Sequence, residues 1–320
     1  MIRLTWLQFR AQAVTAAAAL AAVVVVLAVS APHRALDAGA SHWLYMAGIV
    51  VLYLTPAIIG IFWGAPLISR ELETGTFRLA WTQSISRTRW LAVKLGLTGL
   101  ASMATAGLLS LMVTWWSSPM DQLNPLGGYR LSALLFGARD LIPVGYAAFA
   151  LALGVTTGLL ARRAVPAIAI TLAIFAAVQV AVPLWVRPHL IPPVRTVSPL
   201  NLSAISGLGS SFPENSLGVE ARVNIPGAWV YSNQVTTPGG STSLGLAPHA
   251  CTSGSTNTPP SGQTNACNAA LARLHLRQVV IYQPASRYWA FQWSETAIYL
   301  LLALLLAGFC TWWISRRLSR

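Results

Sequence analysis

Gln292-Trp293-Ser294-Glu295-Thr296-Ala297-Ile298-Tyr299-Leu300-Leu301-Leu302-Ala303-Leu304-Leu305-Leu306-Ala307-Gly308-Phe309-Cys310-Thr311-Trp312-Trp313-Ile314 carries one charge, close to its start. About 20 mostly apolar residues cross the roughly 30 Å hydrocarbon core of a bilayer as a helix, so 292–314 predicts a membrane span. Trp289 and Trp293 stand at one end and Trp312 and Trp313 at the other, where amphipathic rings favour the membrane–water interface. Arg316, Arg317 and Arg320 follow, and basic residues flanking a span are retained on the cytoplasmic side. This one stretch therefore predicts a membrane helix that enters from outside and ends in the cytoplasm.

Five more apolar runs precede it, at about 11–31, 43–67, 92–116, 140–161 and 164–186. Of the 320 residues, 55% are hydrophobic and 9% charged, with a mean hydropathy of +0.60. Soluble domains carry about 25% charged residues, so a soluble enzyme is excluded. The net charge of +13 would raise nucleic acid as a partner, but the charges sit at the ends of apolar runs instead of forming one basic patch, and that partner is set aside. Twelve of the 21 basic residues fall on one side of a six-span arrangement: Arg3 and Arg10; Arg70, Arg78, Arg87, Arg89 and Lys94; Arg162 and Arg163; and the three at the C-terminus. The expected fold is an all-α polytopic membrane protein of six transmembrane helices with both termini cytoplasmic. The first run also has the form of a secretory signal, with Val29-Ser30-Ala31 as its cleavage site, but Pro32 directly afterwards favours retention as an anchor.

Between the fifth and sixth runs, about 100 residues become rich in Pro, Ser, Thr, Gly and Asn, with turn signals at Pro192-Pro193, Pro238-Gly239-Gly240 and Pro259-Pro260. The chain accordingly divides into 1–186, with an N-terminal helix and spans one to five; 187–290, an extracytoplasmic domain; and 291–320, the sixth span and a basic tail. Gly218–Val235 reads as strands and Asn268–Val280 as a helix. Cys251 and Cys267 are expected to form a structural disulfide in an oxidising compartment, worth about 2–4 kcal/mol. Cys310 is read as a packing residue in the last span. His249 and His275 lack the paired spacing of a zinc site, and no metal is expected.

No Gly-rich phosphate loop ends in Lys-Ser or Lys-Thr, since Lys94 is followed by Leu95, and this chain is not expected to hydrolyse ATP. The eight acidic residues avoid the span centres, which argues against proton or sodium coupling. Asp140 with Arg139, and Glu295 with Arg287, lie near the outer ends of the fourth and sixth runs and form a candidate outer gate; hydrated interfacial charge is the plainer reading. Gly154 and Gly158 make a GxxxG pair that lets helices approach closely, although small residues are also simply common in membrane helices.

The connection between the second and third runs, Ser69 through Arg87, is the most informative loop. Phe77 and Trp81 share a helical face, Gly75 and Thr76 supply a break and an N-cap, and Ser86 caps a helix starting at Arg87 or Thr88. The pattern Glu71-x-Glu73-Thr74-Gly75-Thr76 through Trp90-x-x-x-Lys94, with Arg162-Arg163-x-x-Pro166-Ala167 and Tyr282-Gln283-Pro284 before Arg287-Tyr288-Trp289 and Glu295, resembles the permease subunits of type-2 ATP-binding-cassette exporters. The resemblance is to their actinobacterial six-span branch and covers most of the chain outside about 190–270.

That resemblance implies a non-catalytic transport subunit of the bacterial cell membrane that exports a lipophilic or amphipathic compound. Glu71, Glu73, Gly75, Thr76, Phe77 and Arg78 become the contact with a separate ABC ATPase subunit, present in two copies and carrying the ATP and Mg, with no cofactor bound by this chain. It further implies a homodimer, or a heterodimer with a related permease, and an interfacial helix before the first span, which Ile2, Trp6 and Phe9, with Ala13, fit with one apolar face toward lipid or the bundle. The competing class is a membrane-anchored interaction or assembly protein whose outside domain binds a ligand or envelope partner. Replacing Glu71 and Gly75 separates the two, because an anchor makes no use of an ATPase contact.

Overall fold

Residues 2–30, 38–75, 86–123, 133–200, 205–211, 216–221, 223, 225–237, 269, 272–273 and 275–317 are described in the computed structural model. Among them six helices are long and apolar enough to cross a membrane: Ala13–Ser30, Trp43–Thr74, Thr88–Ser118, Ile142–Ala161, Ala164–Leu190 and Ala285–Arg316. Each expected run falls in one of these, in order. The second outlasts its apolar run by a polar turn, because a helix ends at a cap and not where hydropathy falls: its last helix, Ala65–Thr74, stops at Gly75, whose φ of 70° is the left-handed conformation glycine adopts without strain. The third begins where Ser86 accepts the Arg89 N–H on its Oγ at 3.4 Å and the Trp90 N–H on its carbonyl at 3.0 Å, as the capping residues predict. The backbone of the expected interfacial helix is continuous with the first span in one helix, Ile2–Ser30; the side chains of Ile2, Trp6 and Phe9 lie outside the described residues.

The chain forms two compact units, and the first contains all six spans. Its central helix is the fourth span: 78% of its apolar stretch is buried, against 6% for the first and 22–33% for the others. Small residues make that position possible, since Gly145, Ala147, Ala150, Ala152, Gly154 and Gly158 let neighbours approach from several sides. The peripheral spans bury one face and expose large apolar side chains such as Leu111, Trp115, Val165 and Leu304 on the other, as lipid-facing helices do. Ile59 and Trp63 of the second span pack with Ala106 of the third and Ala147 and Leu151 of the fourth at mid-length. Leu27, Ile49, Leu52, Leu109, Val113 and Trp116 form a second cluster toward one end, where the Trp116 indole donates to Ser30 Oγ at 3.1 Å.

Two spans are interrupted by π-helical turns, Ile59–Gly64 in the second and Val182–Val186 in the fifth. The first has a visible cause. A Cβ added to Gly60 would lie 2.9 Å from the Ala150 carbonyl oxygen, and one on Gly64 2.7 Å from that of Leu151. A Cβ on Gly154 would run into the Gly60 carbonyl oxygen, and one on Gly158 into that of Ala65. Two GxxxG pairs thus interlock backbone to backbone, which settles the open reading of Gly154 and Gly158 in favour of a helix–helix contact.

The second unit takes in Pro192–Arg287. Its antiparallel sheet is ordered β1 (Val194–Pro199), β5 (Arg277–Gln283), β4 (Trp229–Thr236), and β2 (Ile205–Ser211) pairs with β3 (Ser216–Ala221) separately. Strands do occupy 218–221 and 229–235, as predicted. The helix predicted through Val280 is corrected: 277–283 is the middle strand, because Val279, Val280 and Ile281 are β-branched and the first two are buried. Cys251, Cys267 and His249 lie outside the described residues, whereas His275 donates its N–H to the Ala272 carbonyl at 3.3 Å.

Candidate functional site

Charged side chains inside the first unit gather at the two ends of the bundle. One end, which carries Arg70, Arg89, Lys94, Arg162, Arg163 and Arg316, is called here the basic end. There the last turns of the second span bind two other spans through the acidic pair that the sequence singled out. The Lys94 ammonium of the third span pairs with Glu71 Oε1 and lies 4.6 Å from the centroid of the Trp90 ring. The Lys94 side chain is only 3% exposed and that of Glu71 19%, so a strongly hydrated cation has been drawn into protein and neutralised there.

Glu73, two residues from Glu71 and so on roughly the opposite side of the helix, accepts the backbone N–H of Ala164 at 2.8 Å. Ala164 is the first residue of the fifth span, where unsatisfied N–H groups and the positive end of the helix dipole favour a carboxylate. Arg163 precedes it in extended conformation, after the left-handed Arg162 at φ 54° that closes the fourth span. Beneath these contacts Ile68, Trp90, Leu91, Val155, Leu159, Cys310 and Ile314 form one apolar cluster from the second, third, fourth and sixth spans. Cys310 packs there, with its sulfur 3.2 Å from Thr156 Oγ1. A shift of helix Ala65–Thr74 is therefore felt by the third span through Lys94, by the fifth through Ala164 and by the rest through the cluster. Of the six coupling-loop residues, Glu71, Glu73 and Gly75 are thus at this junction, and Thr76, Phe77 and Arg78 lie outside the described residues.

At the opposite end the expected gate residues are found, with different partners. Glu295 does not bind Arg287. It binds Arg187, at the end of the fifth span, through Nε to Oε2 at 2.8 Å and Nη2 to Oε1 at 3.0 Å. Arg187 is 1% and Glu295 0% exposed. The guanidinium also lies 4.7 Å from the Phe136 ring, and the Tyr146 hydroxyl donates to Glu295 Oε1 at 3.3 Å. Arg287 belongs to the second unit, where it donates to the Pro192 carbonyl at 2.7 Å and to Gln283 Oε1 at 2.9 Å. The reason for the difference is position: Glu295 is buried two turns into the sixth span, where Arg187 at the end of the fifth reaches it, whereas Arg287 precedes that helix.

Asp140 likewise binds the Tyr288 hydroxyl instead of Arg139, while Arg139 donates to the Tyr45 hydroxyl at 2.6 Å. Asp140 has φ 57°, a left-handed conformation that lets a sharp turn join the short helix Ala133–Gly137 to the fourth span. Gln292 holds that turn in place. Its Oε1 accepts the N–H groups of Leu141 at 3.2 Å and Ile142 at 3.3 Å, and its Nε2 donates to the Phe136 carbonyl at 3.2 Å. A side chain of the sixth span thus caps the fourth. Tyr53 of the second span adds a bond from its hydroxyl to the Leu134 carbonyl at 2.7 Å.

Sequence reasoning missed Arg187, Gln292 and Tyr146. Arg187 was assigned to the outside segment because a charge and Pro188 follow an apolar run; the signal available was that Glu295, inside a span, needed a cation at equal depth. Residues 31–187 match the family described as ABC-2 membrane transporter related. No curated protein and no solved structure matches the chain.

Proposed function

We propose, from the match of residues 31–187 to that family, that the chain is the permease subunit of an ATP-driven exporter, coupled at its basic end to a separate ATPase. It is a multi-pass component of a membrane transporter. The basic end faces the cytoplasm by the positive-inside rule, in a bacterial plasma membrane. Two copies of the permease, or one copy and a related partner, enclose the path for a lipophilic or amphipathic compound and bind two ATPase subunits that carry ATP and Mg.

The observation that carries the coupling part of this reading is the junction at Glu71 and Glu73. A docked ATPase needs a short lever whose displacement reaches several spans at once, and helix Ala65–Thr74 is attached to the third, fourth and fifth. Glu71 and Glu73 are engaged from within the bundle. Their role in coupling is therefore to hold the lever, while the residues from Gly75 onward meet the ATPase.

The test is recovery of partners from the native membrane in mild detergent with wild type and with Arg78→Glu, which reverses the charge of a coupling-loop residue and leaves Lys94 paired with Glu71. A stoichiometric ATPase recovered with wild type, and lost or no longer stimulated in the variant, is the expected result. Recovery of outside or envelope partners alone, unchanged by the variant, would overturn the reading in favour of a membrane-anchored assembly protein.

A further inference from the structure

Arg187 and Glu295 are both inside candidate spans and both essentially without solvent contact, a costly placement for charge. An ion pair buried this deeply adds little net stability, because desolvation offsets the attraction, and apolar residues of similar volume would hold two helices as well. Ionisable groups at such depth mark function more often than architecture. Two features of the surroundings say what kind.

The first is an asymmetry of attachment. Glu295 is on an unbroken helix, Tyr288–Arg317, which is fixed to the fourth span through Gln292. Arg187 instead begins a single turn, Arg187–Leu190, which follows the π-helical turn Val182–Val186 with its internal Pro183. A π turn is a weak point at which a helix changes register, so Arg187 is carried on a jointed end and its partner on a fixed one. The second is Thr296, the next residue of the sixth span, which is 5% exposed and whose buried Oγ1 has no hydrogen-bond partner. A buried hydroxyl left unsatisfied in this state gains a partner in one that admits water.

We propose that the Arg187–Glu295 pair is a latch that closes the bundle at the end opposite the basic end, and that it opens when the Arg187 turn swings about the 182–186 joint during the transport cycle. This rests on the transporter reading above for what drives the opening, but not for the latch itself. The pair has two discrete arrangements, bonded or parted, which is what a switching element requires.

The experiment reads water access next to the latch in the full chain, with its ATPase where one is recovered. Thr296→Cys in a Cys310→Ala background is labelled with a membrane-impermeant maleimide, alone and with ATP plus vanadate, and the labelling of the same background without the added cysteine is subtracted to remove any signal from Cys251 and Cys267. Labelling is expected to be slow at rest, to rise at least about tenfold in the trapped state, and to be fast without ATP when the latch is removed by Arg187→Gln together with Glu295→Gln. The double change leaves no orphaned charge and so spares the fold; exchanging the two residues, Arg187→Glu with Glu295→Arg, is expected to restore slow labelling. Equal rates with and without the latch would overturn the proposal whatever ATP does. Fast labelling in the double variant with no effect of ATP in any variant would uphold the latch and count against the ATP-driven reading instead.

Discussion

Lys94, the one lysine in the chain, shows how a single residue couples stability to position. Its ammonium is buried among helices and balanced by Glu71, so Glu71→Gln leaves a desolvated cation unpaired and should cost about 3 kcal/mol, read as a fall in the thermal midpoint of the detergent-solubilised protein. Exchanging the pair, Glu71→Lys with Lys94→Glu, should recover most of that loss. If the exchanged variant melts with the single one, the two side chains do not act as a pair. Glu73→Ala removes only a helix cap and should cost about 1 kcal/mol. The acidic pair was visible in the sequence as a motif, but its partners were not: Lys94 is 23 residues from Glu71 and Ala164 is 91 from Glu73. Local spacing reports helix faces and caps, as at Gly75 and Ser86, and is silent on which helices later become neighbours. For the same reason Arg287, near Glu295 in sequence, was read as its partner when the chain brings Arg187 there.

At the scale of elements, the two glycine pairs should separate sharply from the other glycines of the bundle. Gly154→Ala puts a methyl group into the Gly60 carbonyl and should part the second and fourth spans, lowering the yield of folded protein, whereas Gly96→Ala and Gly308→Ala, with nothing within 4 Å, should stay within about 0.5 kcal/mol of wild type. Equal effects in all three would show that the interlock is not what holds the spans. Gly75→Ala meets no neighbouring atom either, yet φ 70° imposes a backbone cost of about 1 kcal/mol, and Gly75→Asn should cost less; chemical denaturation in mild detergent distinguishes them. The spans themselves were legible because apolar runs bounded by Arg and Trp have few other physical solutions. The π turn at 59–64 was not, since it lies where glycine backbones meet across helices, and neither was β5, where Gln278-Val279-Val280-Ile281-Tyr282 has the β-branched content of a strand but overlaps the end of a stretch read as helical.

For the whole molecule, the proposal that all six candidate helices cross the membrane predicts both termini on one face and the chain between the fifth and sixth on the other. Reporter fusions after Arg320 and within 238–268 should therefore give opposite signals, one active only in the cytoplasm and the other only outside. The same sign from both would remove one span from the count. The change in composition near 187 was legible because the long apolar runs stop there and turn signals such as Pro192-Pro193 follow.

The bond from Gln292 to the Ile142 N–H, across 150 residues of sequence, also sets an order of manufacture. At about 5–20 residues per second, a ribosome needs on the order of 10 s between making the fourth span and making the side chain that caps it. For that interval the nascent fourth span enters the bilayer with its leading amides bare and its Gly145 groove, later filled by Tyr299, open to lipid. A translation product that stops before the sixth span never closes that gap, and it should be cleared from the membrane faster than the full chain, as a pulse-chase would read.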